Sequence, residues 1–99
     1  MADKVRFEWD FRKAETNWRK HAISFAAATQ VFHDRFVEKK PQGDEHGEIR
    51  WTAIGQVGSA LLHVTYTTRE TEDGEVEVFR IVSARRATRG ERRHYEGDS

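Results

Sequence analysis

The sequence predicts an α+β fold: an antiparallel sheet of four to five strands, two N-terminal helices packed on one face, and a short C-terminal helix. Three observations support this class. Several segments alternate apolar and polar residues, as half-buried strands do. One early segment instead repeats apolar residues at helical spacing. Short turns join the later strand candidates, and strands joined by hairpins run antiparallel. The elements follow the order β-α-α-β-β-β-β-α within one domain, residues 1–99.

The first strand and the first helix are predicted at the N-terminus. Val5–Trp9 alternates apolar and charged residues, which is typical of a strand. Asp10 is a suitable N-cap for a helix that follows. Phe11, Ala14 and Trp18 recur at positions i, i+3 and i+7, so we expect them to form the buried stripe of that helix.

A second helix and a long loop are expected next. Ser24 is expected to cap a helix over about residues 25–32, and Asp34 is expected to end it. Residues 35–38 are a candidate short strand. Residues 39–47 contain the only proline and two of the seven glycines, which favours a loop.

Three further strands are predicted in the second half of the chain, with turn signals between them. Strands and turns alternate over residues 49–54, 55–58, 61–67, 70–75 and 77–83. On the middle strand, the alternation places Leu62, Val64 and Tyr66 on the apolar face. The second turn is acidic, and the sequence suggests no role for it.

The last predicted strand contains an arginine among valines. Val76, Val78, Arg80 and Val82 fall on one side of it, because side chains alternate between the two faces of a strand. Burial of an arginine is costly unless an anion meets it. The position therefore indicates a site that faces a negatively charged group.

The segment after this strand carries more arginine. Thr88 and Glu91 match the capping box, in which two side chains satisfy backbone amides at the start of a helix. Arg85 and Arg86 lie in the predicted connection before that helix. Guanidinium groups and a helix N-terminus are therefore expected to converge, which suits a phosphate group.

Charge is unevenly distributed along the chain, although the net charge is zero. Residues 1–40 and 79–99 each carry a net charge of +3, whereas residues 41–68 carry −2 and residues 69–78 carry −4. Local patches steer ligands even when the average charge is neutral. The basic ends are thus compatible with an anionic partner.

Several kinds of site are excluded or not expected. The chain has no cysteine, which rules out disulfides and thiolate metal sites. The five histidines lack zinc-site spacing, and neither nucleotide-binding glycine loops nor the G-x-S-x-G motif occurs. No metal or other cofactor is expected. There is neither an apolar leader nor an apolar run of membrane length, so a cytoplasmic location is expected.

One polar face of the first helix allows two interpretations. Lys13, Asn17, Lys20 and His21 recur at i, i+4, i+7 and i+8 and share this face. The face is either a solvated surface or the cationic wall of a cleft. The sequence alone leaves both interpretations open.

The cations suit cleavage of RNA without a metal. A base takes the proton of the 2′-OH, the oxygen attacks the adjacent phosphate, and an acid protonates the leaving 5′-oxygen. Arg80 and Arg85 are candidates for stabilising the extra negative charge on the phosphorus centre. Lys20, His21 and Glu91 are candidates for moving protons.

Other interpretations of these residues stay open. Tyr95 suits stacking on a base or donating a proton, and equally suits packing at the end of a helix. His63 and His94 are expected on the surface. The arginines would also serve a non-catalytic nucleic-acid-binding module, or a protein-interaction partner whose basic tail docks an acidic segment.

The order of motifs resembles that of the BrnT toxin family over roughly residues 7–95. The resemblance is carried by three groups of residues. They are Phe7–Asp10 with Lys13, Asn17, Lys20–His21, Ser24–Phe25, Ala28, Val31–Phe32 and Asp34; then Arg50–Trp51 and Ile54–Gly55; and finally Arg80–Thr88 with Glu91–Arg92 and Tyr95.

The resemblance implies a fold, an activity and a partner. It implies a RelE-like fold and a type II toxin that cleaves RNA, inhibits translation and arrests growth. It also implies an antitoxin similar to BrnA, expected to be a ribbon-helix-helix protein that forms a 2:2 hetero-oligomer with the toxin. Such a complex is expected to bind operator DNA through the antitoxin and to repress its own operon.

The resemblance also implies site residues, by position. The expected catalytic residues are Lys20, His21, Arg50, Arg80, Arg85 and Tyr95. The expected RNA-binding residues are Lys13, Asn17, Arg86, Arg89 and Arg92.

Overall fold

The computed structural model describes residues 4–45 and 47–97, and it confirms the α+β class. The elements are β1 (Lys4–Trp9), α1 (Phe11–His21), α2 (Phe25–Ala28) continued by a 3₁₀ turn (Thr29–His33), β2 (Glu38–Glu45), β3 (Glu48–Val57), β4 (Ala60–Glu70), β5 (Val76–Arg86) and α3 (Arg89–Tyr95). A five-stranded sheet carries α1 and α2 on one face and α3 on the other.

The sheet is mixed, so the prediction of an all-antiparallel sheet is wrong. Its strands lie in the order β1-β5-β4-β3-β2, and β1 pairs with β5 in parallel. The other pairs are antiparallel. Hairpin turns determine the direction only of strands that they join, and β1 is separated from the others by two helices. The chain therefore returns to β1 with its last strand.

Residues 39–47 were expected to be a loop, but most of them belong to the edge strand β2. An edge strand tolerates proline because one side of the strand needs no backbone donor. The register shifts between Pro41 and Gly43, whose φ of 129° suits glycine. Of the short strand expected at 35–38, only Glu38 lies in a strand, as the first residue of β2. Residues 35–36 form a turn, beside which Asp34 accepts a hydrogen bond from the Phe36 N–H at 2.9 Å.

Gly55 lies within β3 and not in the turn expected at 55–58. The 3₁₀ turn packs directly on it, and a Cβ at this position would lie 2.8 Å from the carbonyl oxygen of Val31. Glycine is therefore needed here for close approach rather than for a chain reversal. The reversal falls at Gly58, where φ is 59°.

The main core lies between the sheet and the helical segment that begins at Ser24, which caps α2 as predicted. The predicted apolar face of β4 is confirmed, since Leu62, Val64 and Tyr66 are all buried. Phe32 packs edge-on against Tyr66 with ring centroids 4.9 Å apart. The other buried members of this cluster are Ile23, Phe25, Ala28, Val31, Ala53, Ile81 and Ala84.

The buried side of α1 differs from the prediction. Asp10 caps the helix as expected, but Phe11 is 77% exposed and Trp18 is 57% exposed. The buried residue is Asn17, which is 5% exposed. Ala14, the third member of the predicted stripe, is partly buried and packs against the core. The apolar spacing therefore identified the helix and Ala14 correctly, but Phe11 and Trp18 incorrectly.

Asn17 attaches α1 to the sheet through its side-chain amide. Its Nδ2 donates to the carbonyl oxygens of Ala84 at 2.8 Å and Ile23 at 3.0 Å, and its Oδ1 accepts from the Ala84 N–H at 3.0 Å. In the described part of the chain, the pairing of β1 with β5 ends at Ile81, so Ala84 has β4 on one side and no strand on the side of β1. The side chain of Asn17 takes the place of that missing strand.

A β-bulge in β5 decides which way the arginines point. Thr65 lies opposite Ser83 and Tyr66 opposite Ile81, so Val82 is the extra residue. Arg80 and Arg85, which lie opposite Thr67 and His63, therefore project from the same face of the sheet. This face lies opposite α1 and α2, and we call it the open face. Without the bulge, these two arginines would point to opposite faces.

β5 continues through Arg86, beyond the predicted strand end at Ser83. Arg85 and Arg86 are therefore strand residues and not part of a connection. Arg86 lies opposite Leu62, on the face that carries α1 and α2. Within residues 4–45 and 47–97, no helix is both long and apolar enough to cross a membrane.

Replacing Asn17 is expected to destabilise the fold strongly. Asn17→Ala leaves one backbone N–H and two carbonyl groups without partners, which costs about 3 kcal/mol. Asn17→Asp should be destabilised comparably, because a carboxylate accepts from the Ala84 N–H but donates to neither carbonyl. Urea unfolding measures the stability of both variants, and Thr16→Ala, at an exposed position of α1, is the control. An unchanged midpoint for both variants would show that the anchor does not hold α1.

Candidate functional site

A hollow lies between α1 and the end of β5, and we call it the α1/β5 hollow. Its volume is about 370 Å³. Its lining residues are Arg12, Lys13, Thr16, Asn17, Lys20 and His21 from α1, with Val82 and Ser83 from β5. Of the described residues that line it, four are basic and none is acidic. The polar face of α1 is thus one wall of a cationic cleft.

Local structure explains how this cleft arises. The Oδ1 of Asp10 accepts from the N–H groups of Arg12 at 2.8 Å and Lys13 at 3.0 Å, which fixes the start of α1. Asn17 fixes its middle against β5. Lys13 and Lys20 lie one turn before and one turn after Asn17, so both project beside the end of β5. The bulge residue Val82 forms part of the floor.

Arg80 lies on the open face and does not line the α1/β5 hollow. Its Nη1 donates to Glu8 Oε2 at 2.8 Å. The hydrogen bond from the Lys13 N–H lowers the pKa of Asp10, and the charges of Arg80 and Lys13 lower that pKa further. Arg80 lies opposite Glu8 on β1, two residues before the N-cap Asp10, and so lies near the start of α1. Arg50, also expected to be catalytic, lies on the open face two strands away.

Arg85 is held at the start of α3. Its two terminal nitrogens donate to the two carboxylate oxygens of Glu91 at 2.8 and 2.9 Å. Glu91 also accepts from the Thr88 N–H at 2.9 Å, which completes the predicted capping box. The hydrogen bonds from Arg85 are the main reason that the pKa of Glu91 falls to about 2.

The sequence led us to expect that Arg80 and Arg85 meet at one phosphate-sized site. The structure does not bring them together. Their partners on β4, Thr67 and His63, are four residues apart, which is roughly 13 Å along a strand. Each guanidinium also has its own carboxylate partner. Lys20 and His21 lie with Lys13 in the α1/β5 hollow, apart from both arginines.

A second hollow, of about 300 Å³, lies between α3 and the open face. It is lined by Glu38, Lys40, Thr52, Ile54, His63, Gly90, Glu91 and His94. Only 15% of the His63 side chain is exposed, so the expectation of a surface position is wrong. Alternation with Leu62 and Val64 places His63 on the open face, but the sequence does not show that α3 covers it.

His63 differs from an ordinary surface histidine. Burial, together with the charge of Arg85, lowers the pKa of its imidazole, whereas Glu91 acts in the opposite direction from 3.7 Å. A neutral imidazole accepts a proton, so this second hollow also contains a possible base. Its lining includes two carboxylates, however, which makes it less attractive to an anion than the α1/β5 hollow.

Tyr95 joins α3 to Asp34, the residue that follows the 3₁₀ turn. Its hydroxyl donates to Asp34 Oδ2, which also accepts from the Gln56 N–H at 2.7 Å. Burial raises the pKa of Tyr95 to about 12, and Asp34 contributes to the rise. Tyr95 lines neither of the two hollows.

The residues expected to bind RNA are dispersed. Lys13 lies in the α1/β5 hollow, whereas Asn17 is buried there and its amide is bonded to the backbone. Arg86 is exposed on the other face of the sheet from Arg85. Arg89 and Arg92 are exposed on α3, where Arg92 pairs with Glu96 at 3.4 Å.

Potential metal ligands are scattered as well. Among the residues that the structure describes, no three or more His, Asp or Glu side chains are grouped closely enough to hold a metal ion. His46 lies outside the described residues.

Comparison with protein-family models gives a match over residues 9–91, which is most of the chain. The matching model is described as the ribonuclease toxin BrnT of type II toxin–antitoxin systems. A search of curated proteins gives no match.

The Arg85–Glu91 pair is expected to make stability depend on pH. The pKa of Glu91 is about 2 in the folded chain and 4.5 ordinarily, so its contribution is complete above about pH 5 and lost as the pH falls toward 2. At pH 7, Glu91→Gln should cost about 2 kcal/mol, and the cost should shrink below pH 4.5. Urea unfolding over this range checks both statements.

The control is Glu96→Gln, at the C-cap of the same helix. Glu96 is about half exposed in its pair with Arg92, and such pairs contribute little. If both variants lost the same stability at pH 7, Glu91 would have no special role in holding α3.

Proposed function

The chain belongs to the BrnT family of ribonuclease toxins of type II toxin–antitoxin systems, and from this premise we propose that it is an endoribonuclease that cleaves RNA in the α1/β5 hollow. Cleavage of cellular RNA would inhibit translation and arrest growth. One observation carries the choice of site: the hollow is lined by four basic side chains and by no acidic residue among those described.

A phosphodiester fits this hollow electrostatically. The bound phosphate carries one negative charge and gains another as the 2′-oxygen attacks. Cations fixed around it stabilise that added charge more than they stabilise the bound substrate, which accelerates the reaction. Arg12, Lys13 and Lys20 would supply these cations.

The proposed reaction is cleavage by transesterification. A base removes the proton of the 2′-OH, the 2′-oxygen forms a bond to phosphorus, and the bond from phosphorus to the 5′-oxygen breaks. An acid then gives a proton to the 5′-oxygen. The products are a 2′,3′-cyclic phosphate and a free 5′-hydroxyl, and no step needs a metal ion. We assign proton transfer to His21 and Lys20, which both line the hollow.

The remaining expected site residues would have other roles. Arg80 and Arg50 would hold the RNA backbone on the open face, outside the hollow. Arg85 and Tyr95 would hold α3, because Glu91 and Asp34 occupy their polar groups. Arg89 and Arg92 on α3 and Arg86 on the far face would make at most peripheral contacts with RNA. Asn17 would position α1 rather than contact RNA.

The family also underlies the proposal for partners. A toxin of a type II system is paired with an antitoxin, and we propose a BrnA-like ribbon-helix-helix protein in a 2:2 complex. That complex would bind operator DNA through the antitoxin. The toxin would act in the cytoplasm, where its RNA substrate is, and its sheet and helices would correspond to the RelE-like fold.

Truncating either proton-transfer residue is expected to abolish toxicity. Lys20→Ala and His21→Ala should each lower the cleavage rate about 100-fold or more while the urea midpoint stays near that of the wild type. Cleavage of mRNA by purified protein, with and without ribosomes, measures the loss. Lys39→Ala, an exposed lysine on β2, is the matched control and should remain toxic. If both variants kept full activity, the assignment of the catalytic site to this hollow would be wrong.

Cleavage is expected to proceed in the presence of EDTA. The reaction as proposed needs no metal, so chelation should leave the rate unchanged, and the 5′ fragment should end in a 2′,3′-cyclic phosphate. Mass spectrometry of a short cleaved RNA identifies the ends. A 3′-hydroxyl with a 5′-phosphate, or loss of activity on chelation, would contradict transesterification.

A further inference from the structure

We propose that Glu8, Arg69 and Arg80 form a second phosphate-binding subsite on the open face, which receives the RNA backbone next to the α1/β5 hollow. The inference rests on the proposed ribonuclease function and assigns a further part of its substrate-binding surface. Glu8 is a positioning residue in this subsite, and the two arginines are the groups that contact the phosphate.

The three side chains meet across three neighbouring strands. Arg80 Nη1 donates to Glu8 Oε2 at 2.8 Å, and Arg69 Nη1 donates to the same oxygen at 3.2 Å. Arg69 Nη2 donates to the other oxygen, Oε1, at 3.4 Å. One carboxylate on β1 thus holds a guanidinium from β5 and another from β4 in contact with it.

The cluster keeps both positive charge and free hydrogen-bond donors. Two guanidinium groups against one carboxylate leave a net charge of +1. Each guanidinium has five N–H donors, and Glu8 takes three bonds from the pair. Among the described residues, no other side chain accepts from these two guanidinium groups. Their side chains are 37% and 38% exposed, so the free donors are accessible to a ligand.

The position of the cluster suits a strand of RNA that leaves the hollow. Glu8, Arg80, Thr67 and Arg50 form one row across four strands of the open face. At one end of this row Glu8 lies two residues before Asp10, which caps α1 and accepts a hydrogen bond from the Lys13 N–H. Lys13 lines the hollow. At the other end, Arg50 is exposed. The hydroxyl of Thr67, which lies between Arg80 and Arg50 in this row, has no hydrogen-bond partner among the described groups.

Glu8 explains why two like charges lie together before RNA binds. Without a shared carboxylate, the guanidinium groups would repel each other and sample many rotamers, and their ordering would oppose binding. Glu8 orders them in advance. A phosphate oxygen then binds to donors already in place, and guanidinium groups suit such oxygens because they donate two hydrogen bonds in parallel.

The test measures binding separately from cleavage. A short single-stranded RNA with 2′-O-methyl groups throughout cannot react, and fluorescence anisotropy reports its affinity over a series of salt concentrations. Arg69→Ala should weaken binding roughly three- to tenfold and reduce the slope of log affinity against log salt by roughly 0.7. Arg35→Ala, an exposed arginine stacked on Phe36 at 5.3 Å, is the matched control for loss of charge. Equal effects of the two variants would overturn the subsite.

Glu8→Gln distinguishes positioning from general electrostatics. It removes a negative charge beside the RNA, so a diffuse basic patch would bind RNA more tightly after the change. If Glu8 positions the arginines, binding should instead weaken roughly threefold despite the added positive charge. Affinity equal to or tighter than that of the wild type would overturn the positioning role.

A conservative third variant shows whether weaker binding comes from lost donors rather than from lost folding. Two further outcomes separate the subsite claim from the ribonuclease function. Arg69→Lys keeps the charge but loses the paired donors, so it should also bind more weakly than the wild type; wild-type affinity would count against the subsite. If Lys20→Ala weakens cleavage while every Glu8 and Arg69 variant binds normally, the subsite fails and the ribonuclease function stands. If the wild-type protein neither binds nor cleaves RNA, the function itself fails.

Discussion

The side chain of Asn17 is the contact on which the cationic cleft depends. It bonds both backbone groups of Ala84 where β5 has β4 on one side and, in the described chain, no strand on the other. These bonds set the distance and rotation of α1 against the sheet. A buried amide of this kind is costly unless every bond is made, and it therefore specifies one arrangement. Lys13 and Lys20 line the hollow as a consequence.

Two carboxylates then determine which cations remain available to a ligand. Glu91 binds Arg85 through both oxygens and joins β5 to α3. Glu8 binds Arg80 and Arg69 on the open face but leaves most of their donors free. The α1/β5 hollow has no such counter-ion among its described lining residues. Affinity for an anion thus depends less on the number of arginines than on the carboxylates beside them.

Much of the fold was predictable because its signals are local. The alternation in β4, the Asp10 and Ser24 caps and the Thr88–Glu91 capping box all involve neighbours in sequence, and the structure confirms them. The edge strand β2 was missed for a local reason, because its proline and glycine are typical of a loop. The parallel pairing of β1 and the bulge at Val82 instead depend on contacts between separate strands. No periodicity in a short segment reports such contacts.

The same limit applies to the site. The spacing of Lys13, Lys20 and His21 predicted a shared face, but the apolar residues Phe11 and Trp18 pointed to the wrong buried side of α1. A buried asparagine has no distinctive sequence signal. The pairing of Arg80 with Glu8, 72 residues apart in sequence, could not be predicted, and neither could the cover that α3 provides for His63.

The most direct measurement is a map of where RNA binds. Backbone amide signals of ¹⁵N-labelled protein can be followed by NMR while a 2′-O-methyl RNA is added. If the reacting phosphate lies in the α1/β5 hollow, the largest shifts will fall on Lys13, Lys20, Val82 and Ser83. Largest shifts on His63, Gly90 and Glu91, with α1 unaffected, would place the RNA beneath α3 and contradict the assignment.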